Sequence, residues 1–171
     1  ETVIMGNRIF VAGFPIPTPA VPISFLRFLN GDVIANAKVP IPDGYQLLYS
    51  NSTLPGMSGG SVLNSRGELV GIHGRAEIFN PSSIVQGNFL SSASGTKQGI
   101  PITYYQQFLR GEKIYFTSKK AKSADDFLAK ALSILAQGLD DSNKNRSLFR
   151  EVISLSNKAL NISPNNSLAF S

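Results

Sequence analysis

The sequence predicts a mainly β chain, an antiparallel barrel or sandwich of about six short strands, followed by an α-helical hairpin. Three observations carry this. Up to Thr117, Pro and Gly repeatedly interrupt short β-branched and aromatic runs. Turn signals recur between those runs. From Ser123 onward both residues become rare and apolar side chains recur at helical spacing. The expected organisation is therefore a β unit over residues 1–117, a linker over 118–122 and a helical unit over 123–171.

Taken in order, Arg8 to Phe14 reads as a strand closed by the proline-rich stretch Pro15 to Pro22. Ser24 to Leu29 and Asp32 to Ala37 flank Asn30-Gly31, the strongest short hairpin signal, because both central positions of a type I′ turn need positive φ. Tyr45 to Ser50 is a further strand. Ser61-Val62-Leu63 and Glu68 to Ile72 flank a second tight turn, Asn64-Ser65-Arg66-Gly67. Phe89 to Ser91 and Gln98 to Ile102 bracket a polar loop containing Ser94-Gly95-Thr96. Thr103 to Leu109 then reads as a short helix stopped near Gly111.

In the last part, Ala124, Phe127, Leu128, Ala131, Leu132 and Leu135 follow the i, i+3, i+4, i+7 spacing of an amphipathic helix. Ser123 is its N-cap, Asp125 and Asp126 suit its first turn, and Gly138 ends it. A polar connector, Asp140 to Asn145, leads to a second helix carrying Leu148, Val152, Leu155, Ala159 and Leu160. Pro164 lies just past its end, and Ser167 to Phe170 would begin a third helix.

Composition bounds the function. The chain has 171 residues, 42% of them hydrophobic, enough to bury a core. Its net charge is +5, but Lys and Arg are spread thinly without interleaved aromatics, which argues against a nucleic-acid partner. No apolar run is long enough to suggest a membrane span. Without cysteine there is neither a disulfide framework nor a thiolate metal site. No nucleotide-binding loop, paired histidines or other cofactor motif is present, so no cofactor is expected. The chain opens on Glu1 rather than Met, and reads as a processed or truncated piece whose compartment is not legible.

Leu54-Pro55-Gly56-Met57-Ser58-Gly59-Gly60-Ser61 joins two apolar strands through a loop of small residues. Its glycines allow backbone N–H groups to turn inward and a substrate to approach closely. A serine held there offers its hydroxyl, while the N–H groups of Gly56 and Ser58 can meet where an oxyanion would develop. A tight structural turn is the plain alternative.

Together with Glu68-Leu69-Val70-Gly71-Ile72-His73-Gly74, this segment resembles the nucleophile region of the trypsin-like serine peptidases. It is closest to the bacterial branch that includes glutamyl endopeptidases. Val11-Ala12-Gly13-Phe14-Pro15 is similar to the first strand of that family's second barrel, and Ile100-Pro101-Ile102-Thr103 to its closing segment. The resemblance implies that residues 1–117 form the second six-stranded Greek-key barrel of a chymotrypsin-like fold. It implies that Ser58 is the nucleophile, with Gly56 and Ser58 supplying the oxyanion hole, and that proteins or peptides are the substrate. It also suggests an exported or periplasmic protein. Met57 departs from the aspartate of most animal members, which removes their activation switch.

The family places the triad His and Asp before the serine, in a first barrel expected upstream of Glu1. The sole histidine, His73, follows Ser58, so the isolated chain is expected to be inactive for want of a base. His73 is open to three readings: a partly buried strand histidine, a triad base disfavoured by chain order, or a specificity residue. The resemblance to glutamyl endopeptidases implies the third, with Thr53 as a hydroxyl partner and an acidic substrate side chain as ligand.

The tail from Ser123 resembles a tetratricopeptide repeat: Phe127 to Gly138 is similar to its first helix, and Lys158-Ala159-Leu160 with Ser163-Pro164-Asn165-Asn166 to the end of its second. That implies a protein partner and further repeats, because one repeat cannot bury both its faces. A plain helical hairpin packed on the barrel is the other reading. The rival to a peptidase is a degenerate, non-catalytic domain serving with the helices as an interaction scaffold.

Overall fold

A computed structural model describes residues 2–39, 43–78, 93–113, 121–136 and 142–165. Six strands form the β unit: β1 (Arg8–Gly13), β2 (Arg27–Asn36), β3 (Leu47–Tyr49), β4 (Ser61–Asn64), β5 (Leu69–Ile78) and β6 (Ala93–Pro101). They close into a barrel in the order β1-β2-β3-β6-β5-β4. Every neighbouring pair is antiparallel. Three helices follow: α1 (Thr103–Leu109), α2 (Ala124–Ala136) and α3 (Ser142–Ile162).

The interior is filled by residues alternating along the strands: Ile9 and Val11 of β1, Val33 of β2, Leu47 and Tyr49 of β3, Val62 of β4 and Val70 of β5. Met57, from the loop between β3 and β4, is fully buried in the same cluster. A register shift between Val33 and Ala35 breaks the alternation. Such an irregularity re-aims the residues beyond it. Ile34 and Ala35 accordingly pack with Leu48 against Ala124, Leu128 and Leu132 of α2 and Ala159 of α3.

Helix α2 is tied to the barrel by its first turn. The Asp126 carboxylate accepts hydrogen bonds from the backbone N–H groups of Lys38 (2.8 Å) and Val39 (2.9 Å) beyond β2. Its other oxygen accepts from Lys122 (3.1 Å) and Ser123 (3.0 Å), while Ser123 Oγ caps the N–H of Asp126 at 3.1 Å. This is a reciprocal capping box extended to the barrel. The Asn36 N–H donates to Asp125 at 3.0 Å.

Several expectations change. Asn30-Gly31 is not a turn: β2 runs straight through it, with Asn30 opposite Phe10 and Gly31 opposite Ile9. Glycine is there for close approach, because a Cβ on Gly31 would lie 2.5 Å from Asn51 Oδ1. Ser94-Gly95-Thr96 is not a loop but part of β6, which begins at Ala93. Part of the expected Asp140–Asn145 connector is helical, since α3 starts at Ser142. The strand over Tyr45–Ser50 is confined to Leu47–Tyr49. The hairpin over Asn64–Gly67 is present, with Gly67 at φ +75° between paired β4 and β5. The α1 boundaries are as expected, and Gly111 at φ +68° follows that helix. Phe89–Ser91, Gly138 and the third helix at Ser167–Phe170 lie outside the described residues.

Candidate functional site

The loop carrying Ser58 is shaped by what surrounds it. Met57 sits against Gly13, where a Cβ would be 3.1 Å from the Met57 Cβ. Burying that methionine anchors the loop and leaves its neighbours Gly56, Ser58 and Gly59 exposed. Gly56 adopts φ +94° and Gly59 φ +87°, values that cost a residue with a Cβ. Gly56 is also confined by contact, since a Cβ there would meet Ile16 N at 2.6 Å. Gly60 has less room still, with Ala12 O at 2.2 Å from the corresponding point.

Two hydrogen bonds fasten the loop to β5. The Gly59 N–H donates to the His73 carbonyl (2.7 Å), and the His73 N–H donates to the Gly60 carbonyl (2.8 Å). Past the end of β1, the Ile16 N–H donates to Pro55 O at 2.8 Å. Neither the Gly56 nor the Ser58 N–H donates to another described residue, and the Ser58 hydroxyl has no described partner. The loop thus presents a solvent-facing hydroxyl beside two backbone donors on a fixed frame.

His73 is near Ser58 by backbone but its side chain goes elsewhere. The imidazole is 3% exposed, and its Nδ1 lies 2.6 Å from the Tyr49 hydroxyl. Gly99 makes this possible. It pairs with His73 across β5 and β6, and a Cβ on it would lie 3.0 Å from the Tyr49 hydroxyl. Burial, and then the positive charge of Lys97, lower the His73 pKa from 6.5 to about 4, so the ring is neutral at neutral pH. Burial pushes the Tyr49 hydroxyl far above its usual value, so it stays protonated. That hydroxyl has no other partner among the described residues. A buried O–H with one neighbour donates to it, which assigns the His73 proton to Nε2. Among the described residues nothing hydrogen-bonds Ser58 as a base.

Thr53 is half-buried in the connection from β3 to the serine loop, its N–H bonded to Asn51 O at 2.9 Å. No hydrogen bond joins it to His73. The structure brings His73 together with Tyr49 and Lys97 instead. Neither belongs to a sequence motif: Tyr49 sits within a predicted strand and Lys97 within an apparent polar loop. The available signal was the alternation of β3, which turns Leu47 and Tyr49 to the interior.

Beside the loop lie Phe14 and Ile16, 58% and 61% exposed, with Leu54 and the β2 residue Phe28 also open to solvent. Ser24 Oγ donates to Pro15 O at 2.7 Å, which holds the Ile23–Leu26 stretch near them. No group of His, Asp or Glu suited to a metal ion occurs among the described residues, and no helix there is long and apolar enough to cross a membrane. No family model matches the chain.

Proposed function

We propose that the chain is the nucleophile-bearing part of a trypsin-like serine endopeptidase, a second barrel of Greek-key topology followed by a helical unit resembling a tetratricopeptide repeat. Ser58 is its nucleophile, Gly56 and Ser58 supply the oxyanion hole, and His73 with Thr53 belongs to the specificity pocket. The observation that carries the reading is the loop itself. It combines an exposed serine, a buried residue before it, positive-φ glycines on either side and two uncommitted N–H donors. The barrel order β1-β2-β3-β6-β5-β4 supports the same assignment, with the loop joining β3 to β4.

In this reading the Ser58 hydroxyl attacks a peptide carbonyl and the two N–H groups hold the developing oxyanion. The attack needs a base to take the hydroxyl proton, and the neutral His73 ring is engaged with Tyr49. The base therefore comes from polypeptide outside these residues. The exposed group around Phe14, Ile16 and Leu54 supports a partner segment covering the loop's flank. Pocket residues that donate hydrogen bonds favour an acidic side chain before the cut.

A fluorophosphonate probe tests this. The 171-residue chain alone is expected to remain unlabelled, whereas the longer protein carrying an upstream His and Asp is labelled at Ser58 and loses peptidase activity in Ser58→Ala. An unreactive Ser58 in that longer protein would sink the reading. Turnover by the short chain alone would sink the assignment of the base. The rival, a non-catalytic scaffold, draws on one observation: Ser58 has no described proton acceptor, while the helices pack firmly on the barrel.

A further inference from the structure

Five arginines occur up to Gly111, and four of them face a carboxylate. Arg8, Arg66, Arg75 and Arg110 lie 2.5–2.7 Å from Asp32, Glu68, Asp43 and Glu112 respectively. Arg27 is the exception. Among the described residues it has neither a carboxylate nor a hydrogen-bond partner, and its Nε is shut off from solvent. A buried N–H without an acceptor costs free energy, and an arginine cannot shed its proton to avoid that cost. Such groups are rare in native structures, and each calls for an acceptor. The place of Arg27 in the fold says where that acceptor enters. Arg27 opens β2 opposite Gly13, where a Cβ would meet Met57, so both stand on the inner face at the end that carries the serine loop. Its guanidinium lies over the Phe25 ring, 4.7 Å from the centroid. Stacking steadies the planar group without satisfying its donors. Phe25 is itself half exposed, and two hydrogen bonds gather further apolar side chains beside it. Ser24 Oγ donates to Pro15 O and the Ile16 N–H to Pro55 O, which brings exposed Phe14, Ile16 and Leu54 to the same flank.

We infer that this flank is a docking surface for a segment of a partner protein that presents one carboxylate between apolar side chains, with Arg27 as its anchor. Exposed apolar residues alone do not choose a partner. The unpaired arginine does, because it demands an anion within an otherwise apolar surface. An arginine stacked on an aromatic ring and bordered by apolar residues has the make-up of an interface hot spot. The guanidinium fork suits a carboxylate, and Phe14, Ile16 and Phe25 keep water from that pair once the partner covers them. The segment lies along the barrel's flank and not in the serine loop, so the inference stands apart from the peptidase reading.

The test selects from a phage-displayed library of random peptides on the immobilised 171-residue chain, with Arg27→Gln as the counter-target. Enriched sequences are expected to share an Asp or Glu flanked by apolar residues. The most enriched peptide is then synthesised twice, once with its acidic residue and once with the amide isostere in its place. Fluorescence anisotropy gives the affinity of each. The wild type is expected to bind the acidic peptide roughly tenfold tighter or more. Arg27→Gln is expected to abolish that preference, and Arg27→Lys, which keeps the charge but loses the planar fork, to reduce it. Phe14→Ser and Ile16→Ser are expected to weaken both peptides alike. No enrichment, enriched sequences without an acid, or equal affinity for the two peptides in the wild type would overturn the inference. So would a preference that survives in both folded Arg27 variants, or one that Thr53→Val removes, which would trace the carboxylate to the serine-loop pocket. Failure of the peptidase reading is separate: an unreactive Ser58 in the longer protein leaves the dependence on Arg27 as it is.

Discussion

At the scale of single residues, His73 couples folding to pH. Its folded pKa is lowered from 6.5 to about 4, first by burial and then by Lys97. Between those values the unfolded chain binds more protons than the folded one, so stability rises with pH across that window. The contribution is complete above about pH 6.5 and is lost as pH falls toward 4, a swing of ~3 kcal/mol. Urea melts of the wild type and His73→Asn between pH 4 and 7 check it. The variant is expected to lose much of the dependence over this range, while a parallel pair of curves would show that His73 does not titrate as described. The same residue shows what a sequence can and cannot disclose. Its place in a strand after the serine loop was legible from the run Leu69-Val70-Gly71-Ile72-His73. Its partners were not, because Tyr49 and Lys97 are 24 residues away on either side and are brought near it only by the pairing of β6 with both β3 and β5.

At the scale of elements, local signals worked where a local cause set the structure. Thr103–Leu109 and the Asn64–Gly67 turn are decided by their own residues, and both lie where the sequence placed them. Asn30-Gly31 misled because its glycine answers a distant neighbour, Asn51, and the long strand β2 overrides the turn preference. Ser94-Gly95-Thr96 misled similarly, since polar residues in β6 are covered by the strands beside them. Thr96, Lys97 and Gln98 are all buried. The start of α2 combines both kinds of cause. Ser123 and Asp126 form a sequence-legible cap, yet Asp126 also serves Lys38 and Val39 across the chain. Burial pushes the Asp126 pKa up, but the hydrogen bonds from Val39, Ser123 and Lys122 outweigh it and hold the carboxyl below its usual range. Asp126→Ala removes a charged acceptor from backbone donors on both elements at once. The expected loss is about 3 kcal/mol, above the ~1 kcal/mol of an ordinary cap. Asp126→Asn is expected to lose less, because its one carbonyl oxygen still accepts. A thermal melt in which Asp126→Ala costs no more than a simple cap would show that the link to Lys38 and Val39 carries no energy.

At the scale of the whole molecule, barrel and helices are one packed body at the face where Leu48 and Ala35 meet Ala124, Leu128 and Leu132. The composition change near Thr117 marks a switch of local pattern, and the periodicity of α2 shows which residues it buries but not against what. The answer lies in the register shift of β2, which sends Ala35 toward the helix rather than into the barrel. Ser133 Oγ of α2 also donates to Asp43 at 2.9 Å, and Asp43 pairs with Arg75 of β5 at 2.6 Å. Helix packing thus reaches the strand that frames the candidate site. Unfolding is therefore expected to be a single transition, with α2 and the barrel losing structure together. Leu128 is 2% exposed in the shared cluster, so Leu128→Ala deletes buried methyl groups and is expected to cost about 2–5 kcal/mol. The decisive measurement follows two signals during melting: far-UV circular dichroism for the helices and near-UV dichroism from the tyrosines, buried Tyr49 and Tyr104 among them, for the barrel. In the wild type the two curves should coincide, and in Leu128→Ala both should move to lower temperature by the same amount. A helical transition that drops alone, with the tyrosine signal unmoved, would mean that the helices are an attached unit whose contact with the barrel contributes nothing to its stability.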